Sequence, residues 1–200
     1  MLKGYYGHIQ LVKEPAVFDK WLKKMDQKRR DKVLACKNEA DRQRSLMAGI
    51  LLHFALEKDR NCDDPKKIFY SISHSGDYAI CLISDRIVGV DIEHRYRSVF
   101  DNEEQLDNVA KRCLSMGEEI RFQTVENFEE KVSLFLQYWT RKESYSKSIQ
   151  KGLAIDFTTI DTEKMDGKYW SNWLEDGYYC SLYVKNGIFA DLELKKILTL

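Results

Sequence analysis

The run Ile87–Glu93, IVGVDIE, ends in two carboxylates two residues apart. As a strand with a period of two it sends Val88, Val90 and Ile92 to one face and Ile87, Gly89, Asp91 and Glu93 to the other. Gly89 leaves room for something to approach the backbone, and paired carboxylates suit a hard, oxygen-seeking cation. Taken alone, D-x-E at a strand end is more often a polar edge facing water. A second stretch, FLQYWTRKESYSKSIQKG from Phe135 to Gly152, supplies a third carboxylate. At about 100° per residue, Leu136, Trp139, Glu143 and Lys147 share one helix face, with Phe135, Tyr138, Lys142 and Tyr145 on an adjacent one. The stripe begins aromatic and aliphatic and turns polar, which carries Glu143 from core toward a cleft with Lys142 and Lys147 on either side. The competing reading is an ordinary Glu143–Lys147 surface pair at i, i+4, worth only about 0.2–0.5 kcal/mol. A third stretch, Ser73-His74-Ser75-Gly76, suits a tight turn that presents backbone N–H groups beside an imidazole.

The elements that must carry these residues are readable from patterning. Tyr5–Val12 alternates as a first strand, and Pro15 opens a helix through Phe18, Trp21, Leu22 and Met25. Between Lys20 and Arg44 ten Lys/Arg face four Asp/Glu, including Lys28, Arg29, Arg30, Lys32, Arg42 and Arg44. That composition fits either two solvated helix faces or a patch for phosphates. Asn38 or Asp41 caps a helix over Arg42–Lys58, and Asp59–Lys67 is a polar loop. Ile68–Ser73, Tyr78–Ser84 and Ile87–Glu93 follow with short connections, which predicts an antiparallel meander of three strands. Asp101–Glu130 is acidic, with nine Asp/Glu against three Lys/Arg, and is expected to form helices burying Leu106, Val109, Ala110 and Cys113. A long helix over Lys131–Ile149 follows. The remainder reads as strands broken by the hairpin-type turns Asp166-Gly167, Asp176-Gly177 and Asn186-Gly187. The pattern is α+β, divided near residues 95–100 into 1–95 and 96–200.

Composition narrows the function classes. The 32 basic and 32 acidic residues cancel, so no global basic field points to nucleic acid. The most apolar stretch, Ala48–Leu56, is short and interrupted by His53, so no membrane span is expected, and the N-terminus lacks the apolar run of an export signal. The five cysteines are odd in number and lack C-x-x-C spacing, which fits a reduced cytoplasmic protein better than a disulfide framework or a zinc site.

The order of the motifs carries more than any one of them. Phe69–Gly76 with its S-H-S-G, Val88–Glu93 with G-V-D-I-E, the A-K-R-x-x-S-x-x-E run Ala110–Glu118 and Trp139–Leu153 with W-T-R-K-E-S-Y-S-K and K-G-L together resemble the 4′-phosphopantetheinyl transferases of the Sfp-type branch. Weaker similarity runs from Arg42 to Leu52. The resemblance implies an α+β fold of two pseudo-twofold-related lobes, each a small antiparallel sheet packed with helices, with coenzyme A in the cleft between them. It implies transfer of the phosphopantetheine arm of coenzyme A to a serine of an apo acyl or peptidyl carrier protein, releasing adenosine 3′,5′-bisphosphate. Asp91, Glu93 and Glu143 would hold Mg²⁺, with Mn²⁺ as the alternative ion. Lys142 and Lys147 would contact the coenzyme A phosphates, and Ser73 and His74 the nucleotide end. Arg44 would lie near the 3′-phosphate, with Lys28, Arg29 and Lys32 in the basic N-terminal stretch. Glu143 acting directly, a metal-bound water, or Lys147 are the alternatives for the base. The expected protein is a cytoplasmic monomer that binds neither nucleic acid nor membrane. The sequence departs from the family between Asn61 and Phe69, where CDDPKK replaces a longer segment with G-K-P. A metal-dependent phosphohydrolase and a non-catalytic coenzyme A-binding module are the readings from other classes.

Overall fold

The computed structural model describes the chain apart from residues 60–67, 97–99, 151–154, 188 and 190–191. The Asn61–Lys67 part of the family departure and the K-G-L stretch Lys151–Leu153 therefore lie outside the described residues. The chain forms two compact units, Met1–Asp85 with Phe189–Leu200, and Arg86–Ile188. The sequence division at 95/96 falls after the strand that opens the second unit.

In the first unit, β1 (Leu2–His8) leads through a 3₁₀ turn at Ile9–Val12 to α1 (Pro15–Lys24), so the expected strand ends earlier than Val12. Pro15 sits in the first turn of α1, where its missing N–H costs nothing. Asp26 caps α2 (Gln27–Leu34) through the Arg29 N–H at 2.8 Å. Asn38 accepts from the Asp41 N–H at 2.8 Å at the head of α3 (Glu39–Asp59). Along α3, Leu46, Met47, Ile50, Leu51 and Ala55 are fully buried in one cluster with Tyr5, Cys81 and Ile83. The sheet order is β2 (Phe69–Ser75), β3 (Tyr78–Ser84), β1, β7 (Leu192–Ile197). Gly76 has φ +52° in the two-residue β2–β3 turn, a conformation open to glycine and strained for a side chain. The β1–β7 pair is parallel and the others antiparallel. Asn186-Gly187 is therefore not a hairpin, because the strand after it leaves for the first unit's sheet.

In the second unit, β4 (Val88–His94) does not continue the β2–β3 meander. It pairs with β6 (Tyr178–Val184), which pairs with β5 (Lys168–Trp173), giving an antiparallel sheet in the order β4, β6, β5. Asp176-Gly177 joins β5 to β6 as expected. Three helices complete the unit: α4 (Glu103–Cys113), α5 (Met116–Gln123) and α6 (Phe128–Ser148). Ser115 and Glu118 close a capping box at the start of α5. Leu106, Ala110, Phe122, Val132, Phe135 and Leu136 form the core of this unit. The protein is thus α+β, two antiparallel-rich sheets packed with helices. Among the described residues no helix is long and apolar enough to cross a membrane.

Candidate active site

β4 is an edge strand of its sheet, and α6 lies across it. A Cβ built on Gly89 would stand 1.7 Å from the Ser144 carbonyl oxygen, so only glycine lets the strand and helix backbones come this close. A chain of hydroxyls fixes the helix at the same level. Thr140 Oγ1 and Ser181 Oγ are 2.6 Å apart, Ser181 and Ser171 2.9 Å, and the Arg141 Nε–H donates to Ser171 at 3.0 Å. Ser181 is the β6 partner of Asp91 in register. Glu143, one turn beyond Thr140, is thereby carried to the carboxylates of β4.

Asp91 is 4 % exposed, and the Lys147 ammonium donates to its Oδ1 at 2.6 Å. Glu93, two residues on, is half-buried and accepts from the Trp139 indole N–H at 3.4 Å. Burial first, and the Asp91 carboxylate second, push Glu143 up to about 7, with Lys147 opposing and Glu93 adding to the rise. The three acids and Lys147 therefore form one electrostatic group. Their oxygens are the donor chemistry of a hard divalent cation. Among the described residues, however, no three His, Cys, Asp or Glu side chains close into a metal-ligand set.

Lys142 has different surroundings from those the resemblance implies. It is fully buried, and its ammonium donates to the carbonyls of Cys113 at 2.8 Å, Phe157 at 2.7 Å and Ile160 at 2.7 Å. Glu118 Oε2 stands at 2.5 Å, also fully buried. Burial pulls Lys142 below the ordinary lysine value, against the Glu118 carboxylate that holds it up. An ammonium with four protein acceptors and no exposed surface stands in surroundings unlike the phosphate contact that the resemblance implies for Lys142. Glu118 escaped the sequence reading, although it stands in the A-K-R-x-x-S-x-x-E run.

The other expected residues belong to the first unit. Arg44 donates to the Gly76 carbonyl at 2.8 Å and pairs with Asp41, tying α3 to the β2–β3 turn. The Arg44 hydrogen bond is the largest cause lowering Asp41, and nearby His74 adds to it. His74 is exposed while Ser73 is buried. On α2, Lys28 and Lys32 are exposed and Arg29 is half-buried, its stem against Gly49 of α3.

Glu143, a carboxyl of raised basicity, stands with two further carboxylates and an ammonium on a rigid helix and strand, and together they define a proton-transfer and anion-binding site of the kind found in enzymes that move phosphate-linked groups. The family model described as the 4′-phosphopantetheinyl transferase superfamily matches residues 87–192, just over half of the chain. The chain belongs to that superfamily. A 4′-phosphopantetheinyl transferase of Bacillus subtilis is 24% identical over 177 residues, covering 80% of this chain and 75% of that protein. The 4′-phosphopantetheinyl transferase gsp of Aneurinibacillus migulanus is 34% identical over 98 residues, 48% of this chain and 38% of the relative. An L-aminoadipate-semialdehyde dehydrogenase-phosphopantetheinyl transferase of Xenopus laevis is 30% identical over 95 residues, 47% of this chain and 32% of the relative. The match to the last two thus spans about a third of their length.

Proposed function

We propose that this protein transfers the 4′-phosphopantetheine arm of coenzyme A to a serine hydroxyl of an apo acyl or peptidyl carrier protein. The serine oxygen bonds to the β-phosphorus, the bond from that phosphorus to the bridging oxygen breaks, and adenosine 3′,5′-bisphosphate leaves. The observation that carries the reading is Glu143 beside Asp91, Glu93 and Lys147, inside the stretch that matches the family. With its basicity raised toward neutrality, Glu143 is suited to take the serine proton. Lys147, its side chain 28% exposed, is suited to pair its ammonium with a phosphate oxygen in place of Asp91. Asp91, Glu93 and Glu143 are the residues that would hold Mg²⁺, or Mn²⁺, which when bound supplies charge neutralisation at the diphosphate. Lys28, Arg29, Lys32, Arg44, Ser73 and His74 are assigned to the nucleotide end and its 3′-phosphate. The free thiols Cys36, Cys81, Cys113 and Cys180 agree with a cytoplasmic setting.

Incubation with coenzyme A, Mg²⁺ and an apo-carrier domain, followed by mass spectrometry of the carrier, tests the proposal. A phosphopantetheine mass gain on the carrier is expected. Release of bisphosphate with an unmodified carrier would instead identify a phosphohydrolase, and binding without turnover a coenzyme A-binding module.

A further inference from the structure

We infer that the buried Lys142–Glu118 pair is a positioning device that sets Glu143 against Asp91, and not a contact to substrate; the inference rests on the transferase reading above. Glu143 is flanked on the helix by Lys142 and Ser144, each about 100° away around the axis. On the Ser144 side the helix is seated backbone to backbone on Gly89. On the Lys142 side it is held by an ammonium whose acceptors come from separate segments. The Cys113 carbonyl belongs to the end of α4, those of Phe157 and Ile160 to the 3₁₀ turn Phe157–Thr159 and the residue after it, and Glu118 to α5.

Glu118 is itself fixed. Its Oε2 accepts from the Ser115 N–H at 2.9 Å, and its Oε1 from the Thr162 N–H and hydroxyl at 2.9 Å each. The ammonium therefore meets a carboxylate that cannot swing away, and the rotation and axial position of α6 are set immediately before Glu143.

Stability alone is a poor account of the pair. Replacing a buried ion pair by apolar residues of similar volume is often neutral or stabilising, because desolvating two charges offsets their attraction. Directional bonding is what the ions provide and an apolar filling does not. Lys142 acts on Glu143 through geometry.

The test compares wild type with Glu118→Gln, Lys142→Met and the double variant Lys142→Met/Glu118→Leu, which removes both buried charges and keeps a folded protein available. Carrier modification gives kcat and the KM for coenzyme A, calorimetry gives the coenzyme A Kd, and hydrogen exchange reports on the α6 amides. A displacement near 1 Å costs on the order of 100-fold in rate. The expected result is a kcat lowered about 10- to 100-fold with KM and Kd within about twofold of wild type. The double variant should lose no more than the single ones. Exchange should rise at residues 143–148 and stay unchanged in the first half of α6. A Kd raised tenfold or more by Lys142→Met, with Glu118→Gln at the wild-type value, would overturn the inference in favour of a phosphate contact. So would a double variant with wild-type kcat and wild-type exchange. A wild-type protein that leaves the carrier unmodified defeats the transferase reading alone, and the exchange at residues 143–148 then decides the inference without activity.

Discussion

Lys142 and Lys147 stand five residues apart on α6, and each meets one carboxylate at nearly the same distance, 2.5 Å to Glu118 and 2.6 Å to Asp91. Their surroundings differ. Lys142 and Glu118 are both fully buried, and the ammonium is saturated by three further carbonyls. Lys147 keeps 28% of its side chain exposed, and its partner Asp91 lies beside Glu143 and Glu93, acids that disfavour one another's charge. The same residue type on the same helix is thus enclosed by protein at one position and partly open to solvent five residues later. Residue identity does not separate the two; exposure does, for Lys142 is fully buried and Lys147 is not.

The seat between the two lysines is the largest test of that contrast. In Gly89→Ala the added Cβ would stand 1.7 Å from the oxygen and 2.7 Å from the carbon of the Ser144 carbonyl. Both partners are backbone, so neither can rotate aside. The expected cost is at the upper end of overpacking or above, about 3 kcal/mol, which lowers the thermal midpoint by about 6–12 °C. A midpoint equal to wild type would mean that α6 can lift from β4, and that neither lysine is held where it stands.

The outcome at Lys142 shows how far the sequence could be read. The stripe Phe135, Tyr138, Lys142 stays in the core to its end; the phosphate contact for Lys142 is implied by the resemblance, and nothing local marks its partner Glu118, 24 residues upstream. The helix itself is legible from its period, whereas the joining of Glu143 to the D-x-E pair comes from the order of motifs that carries the family resemblance. Strand partners are not legible. The Asp85-Arg86 spacer is short enough for a hairpin, yet β4 pairs with β6, some ninety residues later. Likewise β7 follows a hairpin-type Asn-Gly and pairs in parallel with β1. Local turn chemistry states what a connection permits, and the partner of a strand is fixed by non-local packing that leaves no local mark.

An effect of similar or smaller size concerns the open end alone. Glu143 is raised from the ordinary 4.5 to about 7. Between these values the folded chain keeps a proton that the unfolded chain has lost, so stability falls as pH rises through that window. The fall is at most about 3 kcal/mol, at about 1.36 kcal/mol per pH unit. Denaturation midpoints across this range, measured with chelator present, are expected to show the slope in wild type and to lose it in Glu143→Gln. The same slope in both proteins would place the acid elsewhere and weaken the distinction between the two lysine sites on the helix.

Lys147→Met makes the smallest change in stability. Removing one member of a fully buried pair costs about 3–5 kcal/mol, because the remaining charge is stranded. At this end water reaches the position Lys147 leaves, since 28% of its side chain is already exposed. Glu143 can also take up a proton and relieve Asp91. The expected cost is therefore about 1–2 kcal/mol, while carrier modification falls because a phosphate oxygen loses its ammonium. A loss of stability as large as that of a fully buried pair would place Lys147 with Lys142 as an anchor, and the contrast along α6 would fail.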